Sequence, residues 1–172
     1  MRVARVHIDR FRGYRHAEIT VPENMVLAGE PQAGRTDVVE ALRRVLDPRS
    51  TRSRVNPLDI HRPADGGEES LTEVEVTLLD LGDDRETLLS ENLETFDQAT
   101  GELATSSNAD DAVLGIRLCY RARYDLDTDT GEHWVDYPAR SDPAAGVFKR
   151  ASRIEREALP VQFVDSAPAL QL

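Results

Sequence analysis

The residues of this sequence whose types and spacing could do chemistry together are Gly29-Glu30-Pro31-Gln32-Ala33-Gly34-Arg35-Thr36. They match the phosphate-binding pattern GxxxxG[K][S/T], with Arg35 in place of lysine. The chemistry would be the holding of a phosphate chain. Gly29 and Gly34 permit tight turns and positive φ. The backbone N–H groups from Gln32 through Ala33 to Thr36 would then point inward as an anion nest. A helix opening near Arg35 adds the positive end of its dipole, and the Thr36 hydroxyl is placed to ligate Mg²⁺. Arginine is longer, planar and forked where lysine is a compact charge, so the exchange at 35 is not conservative. Binding is expected to survive it more readily than hydrolysis. The competing reading is an ordinary Gly/Pro turn between a strand and a helix.

Other reactive residues carry less. Cys119 and His133 would suit a nucleophilic pair if a hairpin brought them together, but a buried structural cysteine is the commoner case. The four histidines, His7, His16, His61 and His133, lack the short spacings of familiar metal sites such as HExxH, and read as surface or strand residues. Asp127-Thr128-Asp129 has a two-carboxylate form but falls where a turn favours aspartate. Val161-Gln162-Phe163-Val164-Asp165 is apolar and then acidic, yet Ser166 follows where a catalytic glutamate would belong. Trp134 and Tyr137 read as core residues rather than as a base-stacking pair.

The elements that must position the glycine loop follow from hydrophobic period. Ala4, Val6 and Ile8 alternate with polar residues, as do Ala17, Ile19 and Val21, giving two strands about a turn at Phe11–Tyr14. Met25–Ala28 is a short apolar run suited to a strand buried on both faces. Thr36–Leu46 has helical spacing, with Val38, Val39, Leu42, Val45 and Leu46 on one face, and Asp47-Pro48 ends it. Arg49–Gly67 reads as a loop, extended near Leu58–Ile60. Glu73–Leu79 is a strand, Asp84–Phe96 a weak helix and Gln98–Asp111 a polar loop. Leu114–Tyr124 and His133–Tyr137 form a hairpin about Asp125–Gly131, with Leu114, Ile116, Leu118, Tyr120 and Ala122 facing one way. Pro143–Leu159 reads as a helix with Val147, Phe148 and Ile154 inward, and Val161–Val164 as a last strand.

Composition bounds the reading. The chain has 172 residues and a net charge of −11, so it is about one domain long. Residues 1–62 hold 12 arginines and 8 acids, while the remainder holds 9 basic and 24 acidic residues. A protein that coats nucleic acid with its whole surface is excluded by that balance. One cysteine excludes an intramolecular disulfide or a cysteine zinc cluster. No apolar run reaches the roughly 20 residues of a membrane helix, and Met1–Arg15 lacks the apolar segment of a signal peptide. The expected compartment is the cytoplasm, with no membrane partner.

Three segments in order carry a family resemblance. Val3-Ala4-Arg5-Val6-His7-Ile8-Asp9-Arg10-Phe11-Arg12-Gly13 resembles the opening of ABC-type ATPases of the RecF, SMC and OLD (overcoming-lysogenization-defect) group. Met25–Thr36 resembles their strand and phosphate loop, and Val39-Glu40-Ala41-Leu42-Arg43-Arg44-Val45-Leu46 their following helix. Leu58-Asp59-Ile60, the Glu73–Leu79 strand and the hairpin through His133-Trp134-Val135-Asp136-Tyr137 are similar to OLD-type ATP-dependent endonucleases. The departures are Arg35 for lysine, and Pro31 and Arg10 at asparagine positions. The resemblance implies ATP and Mg²⁺ as cofactors. It puts Gly29, Gln32, Ala33, Gly34, Arg35 and Thr36 on the phosphates, Thr36 on the metal and Arg12 near the ribose or phosphates. It also implies a head that pairs with a second copy or a partner subunit around nucleotide, and a role in phage defence or DNA repair. Neither an LSGGQ-like signature, nor an acidic pair after an apolar strand, nor Toprim carboxylates are found, so DNA would be engaged only through parts absent here.

The expected fold class is therefore α/β (mixed α+β): the N-terminal lobe of an ABC-type P-loop ATPase head, with strands before the loop and a β-hairpin-rich insertion. The chain is read as one incomplete domain, residues 1–48 forming the loop core and 49–172 a β-rich lobe. The expected function is ATP binding in an OLD/RecF-like ATPase that regulates a DNA endonuclease or repair activity located beyond this chain. Two alternatives stand beside it. One is a non-catalytic interaction module with a degenerate loop. The other is a complete small kinase or GTPase, disfavoured by the two strands before the loop.

Overall fold

A computed structural model of the chain describes residues 1–30, 33–62, 71–105, 111–159 and 161–163. Pro31, Gln32, Pro160 and the residues 63–70, 106–110 and 164–172 lie outside the described residues, and with them Val164, Asp165 and Ser166.

Two hairpins and a central strand make the frame. β1 (Arg2–Phe11) turns through Arg12-Gly13 into β2 (Tyr14–Thr20). β3 is Thr72–Leu79, β4 Glu94–Asp97, β5 Ala112–Asp125 and β6 Thr130–Asp136. They form one sheet in the order β2-β1-β3-β5-β4, with β6 also on β5. Every pairing is antiparallel. The class is thus mixed α/β with an antiparallel sheet. Among the described residues no helix is long and apolar enough to cross a membrane.

The alternation that makes the strands also sorts the two faces of the sheet. Val6, Ile8, Val74, Val76, Leu78, Ile116, Leu118, Tyr120 and Ala122 are buried on one face. Helix α1 (Arg35–Leu46) packs Val38, Ala41 and Val45 into the same core. Removing that apolar surface from water, at about 25 cal/mol per Å², is the main force holding α1, and with it the glycine loop, against the sheet. The other face carries Arg5, His7, Asp9, Glu73, Glu75, Arg117 and Arg121. Over β5 and β6 it is covered by the segment after β6, where Phe148 packs on Trp134 with the rings tilted by 58° and their centroids 5.0 Å apart.

Several expected elements are replaced. Met25–Ala28 is not a strand. Leu27 packs on the core, but Val26 is 89% exposed. An apolar run becomes a strand only if another strand pairs its N–H and C=O groups, and none of the described strands lies beside it. The expected Asp84–Phe96 helix is cut short: α2 covers Asp83–Leu88, and a 3₁₀ turn at Ser90–Asn92 leads into β4. The short apolar period was ambiguous, and β4 wins by burying Phe96 against Ala4 and Leu79.

The expected Pro143–Leu159 helix survives only as α3 (Arg153–Glu157), opened by a capping box at Ser152. Upstream, the Asp142 carboxylate accepts from the Ala144 and Ala145 N–H groups, and Gly146 sits at φ 69°. An aspartate turn closed by glycine outcompetes a helix here. Phe148 is half-buried against Trp134 on the face away from the core rather than inward, and Val147 and Ile154 are 58% and 73% exposed. Val39 and Leu114, expected on inward faces, are also exposed. Val161–Phe163 is not a strand; it lies back on α1, with the Arg43 guanidinium 5.0 Å over the Phe163 ring.

Candidate functional site

The sheet presents the head of α1 to the tip of the β1–β2 hairpin. Gly34 is the N-cap residue of α1, at φ 80° and ψ 3°, and no side chain caps the helix. Its carbonyl accepts from the N–H of Asp37 (2.9 Å) and of Val38 (3.2 Å). The first N–H groups of such a helix point outward along the axis, where the dipole is positive. Ala33, Arg35 and Thr36 are exposed around this point. The Arg35 guanidinium turns back toward the Glu30 carbonyl, 3.5 Å away. Gly29 lies against Ala33 and Arg35. Gln32 lies outside the described residues. The structure thus brings Gly29, Ala33, Gly34, Arg35 and Thr36 together in one turn.

Tyr14, the first residue of β2, closes on this turn. A Cβ added at Gly34 would meet the Tyr14 Oη at 2.7 Å. Gly34→Ala therefore suffers twice, from positive φ and from the tyrosine. It is expected to cost about 2 kcal/mol, the scale of left-handed backbone strain in a non-glycine residue. Urea unfolding of Gly34→Ala with and without Tyr14→Ala checks this: the double change restores space but not φ, so only part of the loss should return.

Arg12 lies at the same hairpin tip, but its charge is already engaged. Its Nε is 2.9 Å from Asp59 Oδ1, and its Nη1 and Nη2 are 3.4 Å from Asp37 and 3.8 Å from Glu40. Its backbone is held at φ 50°, with its N–H donated to the Asp59 carbonyl at 3.0 Å. A non-glycine residue is seldom found there. Burial opposes the Arg12 charge, but Asp59, Asp37 and Glu40 outweigh it and hold the guanidinium above its ordinary pKa. Arg44 adds its Nε 2.7 Å from Asp59 Oδ2. A groove of about 440 Å³ opens beside the tip, lined by Arg12, Gly13, Asp37, Leu58, Ile60 and Arg62. Sequence reading named Asp59 only within the Leu58–Ile60 segment, with no site role, and Tyr14 only within a turn. An acid flanked by Leu58 and Ile60 was the available signal for the first; for the second there was none.

The lesser candidates separate. Cys119 opposes Asp136 across β5 and β6, while His133 opposes Ala122. The thiol is buried, which with the charges of Asp136 and Glu75 pushes its pKa well up, and the register does not bring it opposite His133. Trp134 and Tyr137 are buried. Asp129 accepts from the Tyr124 hydroxyl within the β5–β6 turn.

A left-handed glycine at an uncapped helix head, set on an antiparallel sheet, defines a glycine-loop domain of mixed α/β class. The chain belongs to the family described as "Protein of unknown function (DUF2813)", which matches residues 1–106. That stretch runs from β1 through β4 and includes the loop, α1 and Asp59. No curated protein matches the sequence. A solved structure described as "Structural biochemistry of ATP-driven dimerization and DNA stimulated activation of SMC ATPases" is similar over 91% of this chain and 76% of that one, at 15% identity and a TM-score of 0.48.

Proposed function

We propose that the chain is the ATP-binding N-terminal lobe of an ABC-type ATPase of the OLD, RecF and SMC group, serving a nuclease or repair activity carried beyond it. The observation that supports this most is Gly34 at φ 80° heading α1 with no side-chain cap, in a chain whose residues 3–46 resemble that group. An uncapped helix head with exposed neighbours fits a phosphate chain. Gly29, Gln32, Ala33, Gly34 and Arg35 would hold the phosphates, Thr36 the Mg²⁺, and Arg12 would sit beside them. Mg²⁺ would supply charge neutralisation between phosphate oxygens. The lobe would pair with a second copy or a partner subunit around the nucleotide.

Two observations favour the second reading, a degenerate loop kept for interaction. Asp37 puts a carboxylate in the first turn of α1, and Arg12 is neutralised by Asp59, Asp37 and Glu40. Both features lower the positive field that a polyphosphate needs.

Calorimetric titration of ATP–Mg²⁺ into the chain, with Arg35→Lys and Thr36→Ala beside it, separates the two. The first reading expects weak binding, strengthened in Arg35→Lys and lost by about tenfold in Thr36→Ala, about 1.4 kcal/mol. Absence of binding in all three overturns it. The second reading then expects self-association or partner association, measured as size in solution, that ATP does not change.

A further inference from the structure

Register, not sequence spacing, places two histidines and a glutamate together on the open face of the sheet. In the β1–β2 hairpin His7 pairs with Glu18 and Asp9 with His16. Side chains two apart on a strand share a face, so these four residues form a square on the side away from the core. The His7 and His16 rings meet edge to face with centroids 5.0 Å apart. Nδ1 of His7 is 3.3 Å from Glu18 Oε1. One ligand atom from each of His7, His16 and Glu18 lies within 4.8 Å of the others.

The surrounding groups orient this set. Arg5 Nη2 grips Glu18 Oε2 at 2.6 Å and leaves Oε1 toward His7. Asp9 Oδ1 stands 3.8 Å from His16 Nδ1. Each imidazole thus has a carboxylate oxygen close by on the same face, the mixed nitrogen and oxygen donor set that zinc accepts.

We propose that His7, His16 and Glu18 bind one divalent zinc ion, with Asp9 or water in the fourth position. Zinc takes nitrogen at about 2.0–2.1 Å and carboxylate oxygen at about 2.0–2.2 Å in a tetrahedron. Ligand atoms in such a tetrahedron lie about 3.4 Å apart, so the set has to close by about 1.4 Å. Side chains supply that movement, since His16 is 58% and Glu18 47% exposed and Arg5 holds only the Oε2 oxygen of Glu18. Two imidazoles with one carboxylate select zinc over magnesium or calcium, which prefer oxygen. The ion would staple β1 to β2. The tip of that hairpin carries Arg12 and Tyr14, so zinc would stiffen the wall behind the glycine loop.

The test is calorimetric titration of zinc chloride into the tag-free chain, with Co²⁺ as a spectroscopic stand-in. The expected result is one ion per chain, visible Co²⁺ bands of tetrahedral intensity, and a melting temperature that rises with zinc. His7→Gln and His16→Gln should each weaken binding by at least about tenfold, while millimolar Mg²⁺ should not compete. Both substitutions are on the open face, and unchanged circular dichroism and melting without metal check that the variants fold. Binding no tighter than about 100 µM, or binding that both substitutions leave unchanged, overturns the proposal.

Discussion

Replacing Asp59 with alanine is expected to cost about 3–5 kcal/mol of folding stability, the range for removing one partner from a buried ion pair. Asp59 is fully buried, in the 3₁₀ turn Pro57–Asp59, whose N-cap Asn56 accepts from the Leu58 N–H. Its two oxygens face Arg12 and Arg44 at 2.9 and 2.7 Å. The Arg12 contact is an aligned hydrogen bond. The Arg44 contact is close by distance but not aligned as one, so it acts chiefly as charge against charge. Without the carboxylate, two guanidiniums, Arg12 from the hairpin tip and Arg44 from the last turn of α1, face each other with little water. Asp59→Asn keeps the shape and one acceptor, and should lose less. For a chain of this size the alanine change lowers Tm by about 10 °C. Thermal melts of both variants check it; a Tm within 2 °C of the parent, on the order of 1 kcal/mol or less, would refute the account. The same variants bear on the loop, because Asp59 fixes Arg12 through side chain and backbone together.

The second large effect is expected at the other end of α1. Arg156, from α3, is 4% exposed. Its Nη2 donates to the carbonyls of Val45 (3.2 Å) and Asp47 (2.6 Å) and to Ser50 Oγ (2.9 Å), and its Nη1 to Thr51 Oγ1 (3.1 Å). These carbonyls close a helix whose last C=O groups have no intrahelical partner, at the negative end of the dipole. Burial lowers the Arg156 pKa, opposed by the charge of Asp47. Each hydrogen bond to a charged group contributes about 1.5–3 kcal/mol, with incomplete additivity. Arg156→Ala should therefore cost about 3 kcal/mol in urea unfolding and speed amide exchange in the last turn of α1. Arg156→Lys should recover less than half, because an ammonium cannot reach four acceptors in a plane.

How much of this was legible in the sequence depends on how far each signal had to reach. β1, β2, β3, α1 and the β5–β6 hairpin were legible because their period is local and each has one buried face. Met25–Ala28 was equally apolar, but whether a strand lies beside it is not a property of those residues. Asp142-Pro143 and Gly146 did mark a turn, and a helical period running through them outweighed it. In the site, Gly34, Arg35 and Thr36 were legible as a loop heading a helix. The neutralisation of Arg12 was not, because Asp37, Glu40 and Asp59 come from two elements up to 47 residues away. The His7–His16 proximity was hidden in the same way, since it depends on which residues face each other across the hairpin.

The grip of Arg156 on α1 spans 105–111 residues of chain. A ribosome delivers residues from the N-terminus, at about 5–20 per second. The glycine loop and α1 are thus made early but stay unfastened at their C-terminal end for several seconds, until Arg156 clears the exit tunnel. β1 must likewise wait for β3, its partner across Val6 and Val76. α1 is thus made well before the residue that fastens it, so nascent chains halted before residue 156 should be readily cleaved near α1.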